Sequence, residues 1–341
     1  MPLRLAPRLA ALASVSLLAL PALPAMAEDE KPVLTVYTYE SFLPEWGPGP
    51  KIEAAFEKTC GCDLQWVGLG DGVEILNRLK LEGESTRADV ALGMTAEMVP
   101  EMKATGLFAP SETDLARLAI PGGFADDTFV PFDYSYLAFV YDTETVTNPP
   151  KSLDDLVNGD PEQKIVIEDA RTSTPGLGFL LWMKAVYGDQ AAEKWKTLSK
   201  RILTVTPGWS EAYGLFTSGE APIVLSYTTS PAYHMIEEKV EKYQAASFSE
   251  GHYLQVELAG RLKGAKHPDL AKAFLAFILT PEFQDIIPTT NWSLPAIAPA
   301  TPLPEAFDRL VQPVKPLVID AATVAQNRKA WTEEWLQALG R

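Results

Sequence analysis

Residues 171–178 read RTSTPGLG, between an apolar run at 165–167 and a helix-like run that begins at Phe179. Thr174 reads as the cap of a helix with Pro175 at its first position. Ser173 and the free backbone N–H groups of such a start can also accept an anion. Residues 226–231, SYTTSP, offer the same choice on another element. For one such site, capping is the simpler reading. A second set of residues is aromatic and lies next to turns. Tyr39 ends a strand-like run, Trp46 lies in EWGPGP, and Trp209 precedes a helix start at Ser210-Glu211. Tyr227 and Tyr233 flank TTSP, and Trp292 closes PTTNW. A ring at an element end offers a flat face to a planar ligand and attracts a cation, by roughly 0.5–2 kcal/mol per contact. Any one of these rings could equally be a core residue. Taken together, each at the end of an element, they predict a ligand cleft. Asp71, at another helix start, either caps its helix or meets a cationic or amino group of a ligand. The chain carries no Gly-x-Ser-x-Gly, His-Glu-x-x-His or Walker-type loop. The pairs Asp154-Asp155 and Glu237-Glu238 read as solvated faces, so no catalytic residue is expected.

The elements that must position these residues follow from hydrophobic period. Residues 33–39, VLTVYTY, are β-branched and aromatic and read as a strand. A helix at 50–58, a strand at 64–69 and a helix after the capping-box pattern Asp71-Gly72-Val73-Glu74 come next. A strand at 88–92 and a helix at 97–105 complete a β-α-β-α-β-α order. Such an order implies a mostly parallel sheet with helices on both faces. Ligands of such sheets bind beyond the carboxyl ends of the strands, here near Tyr39, Asp71 and Met94. Long extended segments at 129–141 and 253–259 enclose a second α/β region, with strands at 165 and 223–225 and helices starting near 175, 210 and 231. Two extended crossings between two α/β regions predict two lobes and a two-stranded hinge. The expected division is residues 33–130 with 254–300 as one lobe and 137–250 with 301–341 as the other. The crossings are placed at 131–136 and 251–253. A last helix at 324–339 carries Trp331 and Trp335 on one face and should dock on a lobe.

Composition sets the setting. Of 341 residues, 47% are hydrophobic, enough for an ordinary core without metal or disulfide support. Residues 1–27 have a basic start, an apolar stretch and Ala25-Met26-Ala27 before a cut, which is the pattern of an export leader. The formal charge is −16, and losing Arg4 and Arg8 with that leader makes it more negative still. A nucleic-acid partner would call for the opposite sign. Cys60 and Cys62, one residue apart, are compatible with a disulfide in an exported protein. They are too few for a closed zinc site. His234, His252 and His267 show no ligand spacing and read as solvent-facing or locally hydrogen-bonded. Neither a cofactor nor a metal is expected.

The strings LTVYTY, WGPGP, TFVPFDY, RTSTPGLG, LLWM, GWSEAYGLF, LSYTTSPAYH and FSEGHYLQVE extend over nearly all of the chain after the leader. In them the chain resembles the type II, two-lobed solute-binding proteins that serve thiamine ABC importers in the bacterial periplasm. The resemblance implies a monomeric periplasmic protein with two mixed sheets flanked by helices. It implies capture of thiamine, its monophosphate or its diphosphate between the lobes, and delivery to a membrane permease. It further implies that Ser173 and Thr174 contact the phosphate or hydroxyethyl side, with Trp209 and Tyr233 lining that end. Asp71 and Gly72 would face the ligand, and Tyr39, Tyr227 and Trp292 would wall its two rings. RTSTPGLG would then both start a helix and meet the ligand. Two alternatives share the architecture. One is a thiamine-cleaving enzyme with a cysteine nucleophile. The other is a ferric-iron binder, a group that ordinarily uses adjacent tyrosines, which this chain lacks.

Overall fold

The computed structural model describes residues 31–340; the leader expected at 1–27 lies outside the described residues. Strand β1 (Val33–Tyr39), helix α1 (Gly49–Cys60), β2 (Asp63–Leu69), α2 (Gly72–Glu82), β3 (Val90–Thr95) and α3 (Val99–Ala104) follow the expected alternation. β1 pairs in parallel with both β2 and β3. Helix α1 has proline in its first turn and ends at Gly61, whose φ of 63° is left-handed. Glycine takes that conformation without a Cβ clash.

Strand β4 (Phe129–Asp142) is the long extended segment. It is followed by α4 (Leu153–Asn158), β5 (Ile165–Glu168), α5 (Thr174–Tyr187), α6 (Ala191–Leu198), β6 (Ile202–Thr206), α7 (Trp209–Thr217), β7 (Ile223–Tyr227), α8 (Ser230–Tyr233) and β8 (Tyr243–Ala245). Then come β9 (His252–Arg261), α9 (Pro268–Ile278), α10 (Pro281–Gln284), the short strands β10 (Leu294–Pro295) and β11 (Pro316–Leu317), and α11 (Ala321–Ala338). The hydrophobic pattern did not announce α4, α6 and β6. They are short, and β6 is only partly buried.

The strand order is β2-β1-β3-β9-β4-β7-β5-β6. β4 sits at the middle and changes partner along its length. Phe129 to Tyr136 pair antiparallel with β9, and Leu137 to Tyr141 pair antiparallel with β7. One continuous strand therefore joins a β1–β3 group to a β5–β7 group, and β9 runs beside it over the join. Behind the second group, Phe139, Phe179, Trp182 and Phe248 pack edge to face or stacked at 5.0–6.4 Å. Burying side chains of this size supplies most of the drive to fold. Helix α11 touches both groups. Trp335 packs on Trp195 of α6 at 6.3 Å, Glu334 pairs with the buried Lys184 of α5 at 2.6 Å, and Arg328 pairs with Glu101 of α3.

His234 and His252 are fully buried, and each has both ring nitrogens hydrogen-bonded. Cys60 and Cys62 are bonded to each other at the end of α1. Among the described residues, no helix is long and apolar enough to cross a membrane.

Candidate functional site

A cavity of about 360 Å³ opens where strands end and helices begin. Tyr39 comes from the end of β1 and Tyr227 from the end of β7. Asp71, Thr174 and Trp209 come from the starts of α2, α5 and α7, Tyr233 from α8, and Asn291 and Trp292 from the segment before β10. Tyr39, Asp71, Thr174, Trp209, Tyr227, Tyr233 and Trp292, all singled out in the sequence, line this cavity; Gly72 and Ser173 do not.

Asp71 organises one edge. It caps α2, but not through the expected capping box. Its Oδ1 accepts from the N–H of Gly72 at 2.6 Å, and the N–H of Glu74 donates to the carbonyl of Thr172 instead. The same carboxylate reaches across to two other helix starts. Oδ1 accepts from the N–H of Thr174 at 3.1 Å and its hydroxyl at 2.9 Å, and Oδ2 accepts from the N–H of Trp209 at 3.2 Å. Three helix N-termini thus point at one anion, and their partial positive ends favour it. Burial raises the Asp71 pKa, opposed by these hydrogen bonds. The anion at RTSTPGLG is therefore a side chain of the protein itself.

That arrangement corrects two readings of the stretch. The cap of α5 is Ser173, whose Oγ accepts from the N–H of Gly176 at 3.3 Å; Thr174 and Pro175 are its first two helical residues. Ser173 is fully buried and does not line the cavity, because its hydroxyl is held in the cap. Gly72 lies behind Asp71 for a steric reason. A Cβ there would stand 2.1 Å from the Gly93 carbonyl oxygen and 2.6 Å from the Thr174 methyl. The close approach of α2 to β3 and α5 requires glycine.

The aromatic walls are fixed by their neighbours. Trp209 stacks on Tyr213 at 4.8 Å, and its Nε1 donates to Ser226 at 2.9 Å. Tyr213 in turn bonds His234 at 2.8 Å. Tyr233 meets Trp292 edge to face at 5.4 Å. Trp292 has a φ of 55°, a conformation that a bulky residue adopts only under constraint from its surroundings. Trp46 stands at the cavity edge, 52% exposed.

The fourth wall was not read from the sequence. Asp133 and Ser135 of β4 and Gln255 and Glu257 of β9 line the cavity as one polar face. The Tyr39 hydroxyl donates to Glu257 Oε2 at 3.0 Å, and the Asn291 amide donates to Asp133 Oδ2 at 2.6 Å. Burial pushes the Asp133 pKa up to about 7. Burial, and then the charge of Asp133, pushes Glu257 well above the usual carboxylate range. The available signal was polar residues at a spacing of two inside otherwise apolar strands, FDYSY and LQVE.

The pattern that defines the bacterial extracellular solute-binding proteins matches residues 85–327. The thiamine-binding periplasmic protein of Brucella abortus biovar 1 (strain 9-941) is 58% identical over 98% of this chain and 100% of its own length. That of Escherichia coli (strain K12) is 54% identical over 91% of this chain and 94% of its own. The chain belongs to the bacterial extracellular solute-binding protein family. A solved structure of a periplasmic thiamin binding protein superposes on this solute-binding protein with a TM-score of 0.90 at 52% identity, covering 94% of this chain and 100% of that one. The fold is the type II periplasmic-binding-protein fold expected from the sequence.

Among the described residues, the lining of the solute-binding protein's cavity includes Asp71, Asp133, Glu238 and Glu257 and no Lys, Arg or His. Aromatic faces with carboxylates beside them attract a flat cation. Among the described residues no group of three or more His, Cys, Asp or Glu is placed to hold a metal ion. The disulfide-bonded Cys60 and Cys62 do not line the cavity.

Proposed function

We propose that this solute-binding protein captures thiamine in the cavity, in the periplasm, and hands it to the membrane permease of an ABC importer without chemical turnover. The observation that carries the reading is the lining itself: aromatic rings at the ends of separate elements, carboxylates, and no basic side chain. Thiamine has a fixed positive thiazolium and an amino-substituted pyrimidine, which suit those two kinds of group. The high identity to relatives named thiamine-binding supports it. Both cysteines are in a disulfide, which weighs against a thiolate nucleophile.

The two strand groups act as lobes that close on the ligand about the β4–β9 pair. The hydrogen bonds from Thr174 and Trp209 to Asp71 are contacts of the closed state. Phosphate esters of thiamine enter the same cavity with their anionic end facing lining hydroxyls such as those of Ser210 and Ser230, since Asp71 already takes the N–H groups at the starts of α2, α5 and α7. Titration of intrinsic tryptophan fluorescence tests the reading, because Trp209, Trp46 and Trp292 line the cavity. Saturable change with thiamine, and recovery of the ligand unaltered, are expected. No fluorescence change and no thermal shift at millimolar thiamine would refute it.

A further inference from the structure

The polar face of the central strand pair has a property that the thiamine reading does not require. Asp133 stands directly opposite Glu257 in the β4–β9 register, and Ser135 stands opposite Gln255. Residues two apart on a strand share a face, so two carboxyls and an amide form one patch. Like charges directly opposite on paired strands repel. Here the repulsion acts in partly desolvated surroundings, since Asp133 is fully buried and Glu257 is half-buried.

Among the described residues, no cation lines the cavity beside the pair. β1 contributes the Tyr39 hydroxyl, and the segment before β10 contributes the Asn291 amide and Ser293. β7 contributes Tyr227, and α2 adds the further negative charge of Asp71. β5 brings Glu168 near Tyr227, another acid. The second pointer to a ligand is Gln255. It lines the cavity, and among the described residues neither its amide nitrogen nor its amide oxygen has a hydrogen-bond partner. A buried amide left unpaired is costly, and a ligand group that bonds to it removes the cost.

We propose that the Asp133–Glu257 pair, with the Gln255 amide beside it, is the counter-charge for a ligand with a permanently positive ring, and that the pair gives up a proton to solvent when that ligand binds. In the empty cavity the two carboxyls hold a proton between them, as the raised affinities of both for protons require. A fixed cation stabilises the doubly ionised pair, so the proton leaves as the cation enters. Because protons are released, affinity rises with pH until the empty pair is itself ionised. The inference takes its probe from the proposed thiamine function.

Isothermal titration of the intact protein with thiamine, at neutral pH in phosphate and in Tris, tests it. These buffers differ strongly in heat of protonation, so release of up to about one proton appears as a difference in measured enthalpy. As pH rises, the Kd should fall by up to about tenfold per pH unit and level off once the empty pair is itself ionised. Glu257→Gln should weaken binding and flatten that pH dependence. A neutral analogue with thiophene in place of thiazolium should bind without proton release. Tight thiamine binding with equal enthalpy in both buffers and a flat pH profile would overturn the proton-release proposal alone. Absence of thiamine binding would overturn both this proposal and the function it rests on. The wild-type buffer comparison decides even where Glu257→Gln fails to fold.

Discussion

Replacing Asp71 by Asn preserves the volume of the side chain and removes its charge. Three of its hydrogen bonds leave α2, two to Thr174 and one to the N–H of Trp209. A hydrogen bond to an ionised acceptor contributes about 1.5–3 kcal/mol. The carboxylate is buried and its pKa is raised, so desolvation offsets part of that gain. About 1 kcal/mol per bond is the reasonable net figure. An Asn whose Oδ1 keeps the Gly72 and Thr174 bonds turns its amide nitrogen toward the N–H of Trp209, so that bond is lost and the two from Thr174 lose their charge assistance, about 1–2 kcal/mol in all. Under the proposed closure these bonds exist only with the lobes together, so the loss appears in ligand affinity. At about 1.4 kcal/mol per tenfold, Asp71→Asn weakens thiamine binding roughly 5- to 30-fold. Titration calorimetry measures this directly. The ligand-induced rise in Tm should shrink, while the ligand-free Tm moves less. A double-mutant cycle with Thr174→Val should show a coupling of about 1 kcal/mol or more. An affinity within twofold of wild type would refute the idea that Asp71 latches the lobes.

Two further outcomes follow from the same geometry. Gly72→Ala places a methyl against the Gly93 carbonyl and the Thr174 side chain, so it should cost about 1–3 kcal/mol in thermal or urea unfolding and weaken ligand binding with it. His252 is buried with Nδ1 on the Leu137 carbonyl and Nε2 accepting from the N–H of Phe248, and burial lowers its pKa. The folded state therefore prefers neutral His252. Its contribution is present above the unfolded pKa of about 6.5 and is lost as pH falls below it. Wild type should lose more stability between neutral and mildly acidic pH than His252→Gln does; equal losses would show that His252 is not held neutral.

Local pattern was enough for much of the architecture. The alternation of strands and helices up to α3 was legible from period, because each element carries its own buried face. The aromatic residues at element ends were legible for a related reason. Their position beside Gly, Pro and Ser-Thr turns marks them as lying at strand and helix ends, and in this fold those ends converge. What RTSTPGLG does was less legible. Whether Ser173 or Thr174 caps α5 depends on one backbone step, and the partner of the helix start lies about a hundred residues away, at Asp71. No local rule reports a contact of that separation.

The amino-acid sequence by itself determined most of the strands and helices, where the rings stand on them, and that the cavity wall would be aromatic. Those properties are written in hydrophobic period and in residue type, which act locally. Only the tertiary structure decided which polar groups face one another. Pairing β4 with β9 in its observed register sets Asp133 against Glu257. Bringing α5 and α7 to α2 turns Asp71 from a helix cap into a link across the cavity edge. Both effects arise from charge and hydrogen bonding between residues far apart in the chain, whose strength depends on distance and burial, and those quantities exist only once the chain has folded.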